Sequence, residues 1–107
     1  MNTTTESPLT AEELTPPADL SGRARDLFLA TVPSQCKGRQ RLALITEALR
    51  SLDLADRCRE QVAKDGLTMI TARSGVAHCH PLLKTERENR AAFAAIWSGS
   101  LRLHWER

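Results

Sequence analysis

A chain of 107 residues, 41% apolar and only 4% aromatic, is the size of one domain, with a core of Leu, Ile, Val and Ala that suits helix packing. No apolar run approaches the roughly 18 residues of a membrane span, and the opening MNTTTESPLTAEEL lacks the basic patch and apolar stretch of a secretory signal. A net charge of +2 is too small to specify a nucleic-acid partner, and Cys36, Cys58 and Cys79, with no CxxC pair, read as reduced thiols of a cytoplasmic protein.

In chain order, residues 1–17 read as a disordered leader rich in Thr, Glu, Ser and Pro, in which Glu6, Glu12 and Glu13 face no base. From Ala18 the pattern predicts a short helix with Asp19 or Ser21 as N-cap and Leu20, Ala24, Leu27, Phe28 and Val32 on one face. Pro33 is expected to stop it, and 34–38 to make the connection. The longest element is a helix over 39–64, with Gly66 suited to the position that ends it. Its apolar residues fall in two stripes: Leu42, Ile45, Leu49 and Leu52, and Leu44, Ala48, Ala55, Cys58 and Val62.

Next comes a β-hairpin over 67–80, its turn at Ala72-Arg73-Ser74-Gly75. His80 holds the extended pre-proline position and a site for an N-cap, and Pro81 opens a third helix over 81–98. That helix is anchored by Leu82, Leu83, Phe93, Ile96 and Trp97 and ended by Gly99. Leu101, Leu103 and Trp105 alternate beyond it, as in an extended segment. The expected architecture is mainly α: a single helical domain over 18–103 with a hairpin at 67–80, and a tail at 104–107. The long helix spans about 39 Å, whereas a compact chain of this size has a radius of gyration near 13 Å. Two apolar stripes with no equally long partner helix then predict a homo-oligomer, with Leu44, Ala48, Phe93 and Trp97 at its interface.

Charge is unevenly spread. Residues 17–41 and residues from 67 onward each carry a net +3, while the middle of the long helix is nearly balanced. Lys37, Arg39 and Arg41 crowd the start of the long helix, where cations oppose the helix dipole. With Arg23 and Arg25 they form a candidate phosphate grip, the plain alternative being a solvated basic face. Arg73, at the hairpin tip, is placed to reach a groove or a backbone, or is an ordinary polar turn residue. Glu86 and Arg90, four apart, read as an intersubunit ion pair or as a solvated face.

His78-Cys79-His80 invites a metal reading, because strand alternation puts both histidines on one face. Zinc needs four ligands, and no second Cys/His cluster exists in the sequence, so packing of His80 against the third helix is expected and no metal or other cofactor is assigned. No nucleophile–base pair, phosphate loop or paired-carboxylate motif is present, which argues against an enzyme.

The long helix is followed by Asp65-Gly66-Leu67-Thr68, the turn Ser74-Gly75, His80-Pro81-Leu82-Leu83, and Glu86-Arg87-Glu88 with Arg90, Phe93 and Trp97. This order resembles the short helical class of tailed-phage terminase small subunits, over roughly residues 42–103. The resemblance implies a ring-forming, non-catalytic subunit in the host cytoplasm. Such a subunit selects double-stranded viral DNA for packaging and recruits and regulates the large ATPase–nuclease subunit. The leader and first helix carry no part of the likeness. Two other functions fit the residues: a small regulator using the first two helices as a helix-turn-helix, and a structural phage oligomer without DNA affinity. Single-strand binding is disfavoured, since two Phe and two Trp make a poor stacking platform.

Overall fold

The long helix is the axis of the molecule. In a computed structural model that describes residues 8–66, 68–70 and 77–104, with 68–70, 77 and 78 as backbone, it runs as α2 over Arg39–Asp65. Gly66 ends it at φ +90°, a conformation costly for any residue with a Cβ, and its N–H reaches the Val62 carbonyl at 2.7 Å. Among the described residues the fold is mainly α, with three α-helices: α1 over Gly22–Gln35, α2, and α3 over Leu82–Ala94. Residues 1–7, Leu67, the segment 71–76 on which the expected hairpin turn with Arg73 falls, and Trp105 with the end of the tail lie outside the described residues.

Both stripes of α2 are used within the chain. Ile45, Leu49 and Leu52 are fully buried with Phe28 and Val32 of α1 and with Phe93, Trp97 and Leu101. Of the second stripe, Ala48, Ala55, Cys58 and Val62 are also buried, leaving only Leu44 open, at 41% exposure. A lone chain was expected to leave part of this surface uncovered; only Leu44 of the two stripes is, because α3 and the turn after it lie along α2, and α1 along its neighbouring face. Burial removes Cys58 from ready ionisation, with Glu86 nearby adding to the effect.

α1 runs antiparallel along α2. Ser21 at its start donates to Asp53 (2.8 Å), and at its other end the Gln35 carbonyl accepts from Arg41 (2.9 Å). Ser21 takes the extended N-cap conformation, and the helix passes Pro33 to end at Gln35. Proline deletes one hydrogen bond to the carbonyl four residues back. So near the C-terminus that loss leaves only two further helical residues to support.

Two three-residue strands, β1 (Thr68–Ile70) and β2 (Ala77–Cys79), pair antiparallel with Thr68 opposite Cys79 and Ile70 opposite Ala77. The chain then enters α3, which gives way at Ala95 to a wide π-helical turn over Ala95–Ser100 in place of the expected α-helix to residue 98. Leu101 N–H reaches back five residues to the Ile96 carbonyl (2.8 Å), and Leu103 N–H to that of Trp97 (2.8 Å). The Trp97 ring stacks on Phe93, four residues before it, with centroids 5.3 Å apart at 28°, and Leu101 after the turn is buried in the same core. The segment after it is therefore folded back rather than extended, with Arg102 at φ +56° and the Trp97 indole N–H donating to the His104 carbonyl (3.2 Å).

The leader also departs from expectation. Residues 8–17 are held against the body, with Leu9 packed on the core. Thr10 and Glu13 form a reciprocal capping box: Glu13 N–H donates to the Thr10 hydroxyl (3.1 Å) and Thr10 N–H to the Glu13 carboxylate (2.9 Å). A Thr-x-x-Glu signal lay inside a stretch whose composition alone suggested disorder.

Candidate nucleic-acid interface

The antiparallel packing of α1 on α2 separates the cations that sequence had grouped. α1 has 14 residues and is about 21 Å long, so Arg23 and Arg25 in its first turn are about that far from Lys37, Arg39 and Arg41. Arg23 makes a two-point pair with Asp56 of α2, both bonds at 2.8 Å. Arg25 is exposed beside it.

Arg23 belongs to a chain of ion pairs that ties the three helices. Asp56 also meets Arg90 of α3 (3.3 Å); Arg90 pairs with Glu86 (2.8 Å), and Glu86 pairs with Arg59 of α2 (3.1 Å). Glu86 is only 4% exposed, so both of its oxygens are answered by guanidiniums of its own chain. The expected intersubunit pair is thus an intrachain one. Ala48, Phe93 and Trp97, expected at an oligomer interface, lie inside the chain's own core; Leu44 alone of that set is open to solvent.

At the other end of α1 a different arrangement forms. Arg41 folds inward and bridges two backbone carbonyls, Gln35 through Nε (2.9 Å) and Leu101 through Nη2 (3.0 Å). This one side chain draws the α1–α2 connection to the end of the π-helical turn. Lys37 lies two residues from one bridged carbonyl and Arg102 one residue from the other; both are exposed and without an ion pair among the described residues. Arg39 sits in the same region, its guanidinium held by Glu13 at 2.7 and 2.8 Å. The Thr10 backbone N–H, and then Arg39, keep the Glu13 carboxyl below the usual carboxylate range. Lys37, Arg39, Arg41 and Arg102 therefore share one end of the molecule. Arg102 joins them only through the tertiary bridge by Arg41, a bond across 60 residues of sequence that no local signal marks.

His80 is 5% exposed and makes two bonds that settle its tautomer. Leu82 N–H donates to Nδ1 (3.1 Å), so the proton sits on Nε2 and is given to Asp65 (2.8 Å). The ring thereby caps α3 and ties it to the last residue of α2. This bond, and then Gln61, hold the Asp65 carboxyl below its ordinary range. Both ring nitrogens are occupied, and among the described residues no group of three or more His, Cys, Asp or Glu is arranged to hold a metal ion. Nor is any described helix long and apolar enough to cross a membrane. No protein-family model, curated protein or solved structure matches this chain.

Proposed function

We propose that this protein is the small subunit of a phage terminase. It binds double-stranded viral DNA for packaging, works as a ring of identical copies in the host cytoplasm, and recruits and regulates the large ATPase–nuclease subunit without catalysing a reaction itself. The observation that carries the DNA-binding part is the cationic end of the molecule, where Lys37 and Arg102 flank the Arg41 bridge and Arg39 lies beside them. Lys37 and Arg102 project charge into solvent from a backbone that Arg41 holds in place, which suits phosphate binding. The packaging assignment rests on the order of residues from Asp65 to Trp97. In this reading Arg25 is a separate, secondary phosphate ligand, and Arg23 and Arg90 serve the fold.

The helix-turn-helix alternative is the weaker reading. In that motif the two helices cross at about 90–120°, whereas α1 lies along α2 from the Ser21–Asp53 bond to the Gln35–Arg41 bond. The side chains that a recognition helix would offer first are also engaged, Arg39 with Glu13 and Arg41 with backbone. For ring formation the exposed Leu44 and Leu54 of α2 replace the buried Phe93 and Trp97.

The test is the salt dependence of duplex binding, followed by fluorescence anisotropy. Replacing Lys37 and Arg102 together by Gln is expected to weaken binding and to lower the slope of log K against log salt by about 0.9 for each phosphate no longer neutralised. An unchanged slope moves the interface elsewhere, and no binding by the wild-type protein removes the DNA-binding role.

A further inference from the structure

We infer that the acidic leader is an autoinhibitory strap whose Glu13 carboxylate occupies, on Arg39, the place of a nucleic-acid phosphate. The inference rests on the DNA-binding reading above. A carboxylate held by both Nε and Nη2 of one guanidinium, at 2.7 and 2.8 Å, has the two-point geometry that arginine offers a phosphate. Glu13 is presented to Arg39 by a built element. The capping box with Thr10 and the turn closed by the Leu14 N–H to Thr10 carbonyl bond (3.0 Å) fix the carboxylate.

The leader lies over the same end of the molecule as the cations. Pro8, Leu9 and Leu14 line one cleft with Lys37 and Gly38, while Glu12, Glu13 and Pro16 line another with Phe28, Leu42 and Thr46. The first turn of α2 contains no acidic residue and its N-cap, Gly38, has no side chain, so the negative charge at that end comes from the leader. Residues 8–17 of the leader carry Glu12 and Glu13 and no base, opposite in sign to the segment they cover. The ion pair is partly exposed, with side chains 42% and 25% accessible, so the Glu13 carboxylate can be exchanged on Arg39 for a phosphate of a polyanion. DNA binding then exchanges Glu13 for a phosphate on Arg39 and swings the leader away from the cationic end.

The experiment compares wild-type protein, Glu13→Gln, Glu12→Gln and the double variant Glu13→Gln/Arg39→Gln, binding a short DNA duplex at low salt. Glu12→Gln removes the same charge from the neighbouring position and leaves the Glu13 carboxylate in place. Glu13→Gln is expected to bind about two- to five-fold more tightly than wild type, as befits the loss of one surface ion pair. Glu12→Gln is expected to stay close to wild type, and the gain to vanish when Arg39 is also replaced. Equal gains from Glu12→Gln and Glu13→Gln would mean bulk charge alone and overturn the strap. So would Glu13→Gln binding no tighter than wild type while wild type binds normally, which leaves the DNA-binding reading standing. Absence of binding by every form overturns both.

Discussion

His80 follows β2 directly, and its ring joins two helices: it caps α3 through the Leu82 N–H and hydrogen-bonds Asp65 at the end of α2. The His-Pro step was legible in sequence as a strand-to-helix junction, and the extended pre-proline backbone explains why. The Asp65 partner was not, because the two residues meet only once the paired strands bring the chain back. Replacing His80 by Ala is expected to lower stability by about 1 kcal/mol through removal of the cap, measured by denaturant unfolding at pH 7. Asp65 gives the sign of the pH effect. Its folded carboxyl titrates below the ordinary range, so its contribution is complete above that range and is lost as pH falls through the lowered value. His80→Ala removes the largest cause of that lowering, and the acid limb of the stability curve is expected to become shallower. An acid limb as steep as wild type would mean that the pair does not act as described.

At the level of elements, periodicity leaves open whether an apolar face is core or interface. A helical repeat shows which residues share a face, but not whether that face meets another part of the chain or a second copy. Phe93 and Trp97 were therefore equally readable as interface or core, and they are core, because α3 and the turn after it pack along α2. Phe93→Ala is expected to cost about 3–5 kcal/mol in unfolding experiments, as for other buried aromatic truncations. Leu44→Ala, at an exposed position, is expected to change the unfolding of the isolated chain by less than about 0.5 kcal/mol while shifting any self-association to higher concentration. A large loss of stability for Leu44→Ala with no change in assembly would remove Leu44 from the interface.

The whole molecule is a rod. Its extents are 67 × 24 × 24 Å and its radius of gyration is 17.8 Å, well above the value near 13 Å of a compact domain of this length. The sequence argument set the length of α2 against a compact globule and drew from it a homo-oligomer, not a rod that covers both stripes of α2 by itself. Elongation leaves much surface per residue, and Leu29, Leu44 and Leu54 remain 41–48% exposed. Light scattering on the purified protein is expected to show a discrete assembly of many subunits. A monomer or dimer at micromolar concentration would sink the ring and leave the leader-regulated cationic end as the property of a small DNA-binding protein.

The mainly helical course of the chain, the span of the long helix and its end at Gly66 could be read from the sequence, because hydrophobic period, caps and glycine act over a few neighbouring residues. The fate of the charges could not. Arg23 finds Asp56 across 33 residues, Arg39 finds Glu13 across 26, and Arg41 finds the Leu101 carbonyl across 60. Each pairing follows from how α1, α3 and the leader pack on α2. Packing alone divides the cations into those that hold the fold together and those left facing solvent.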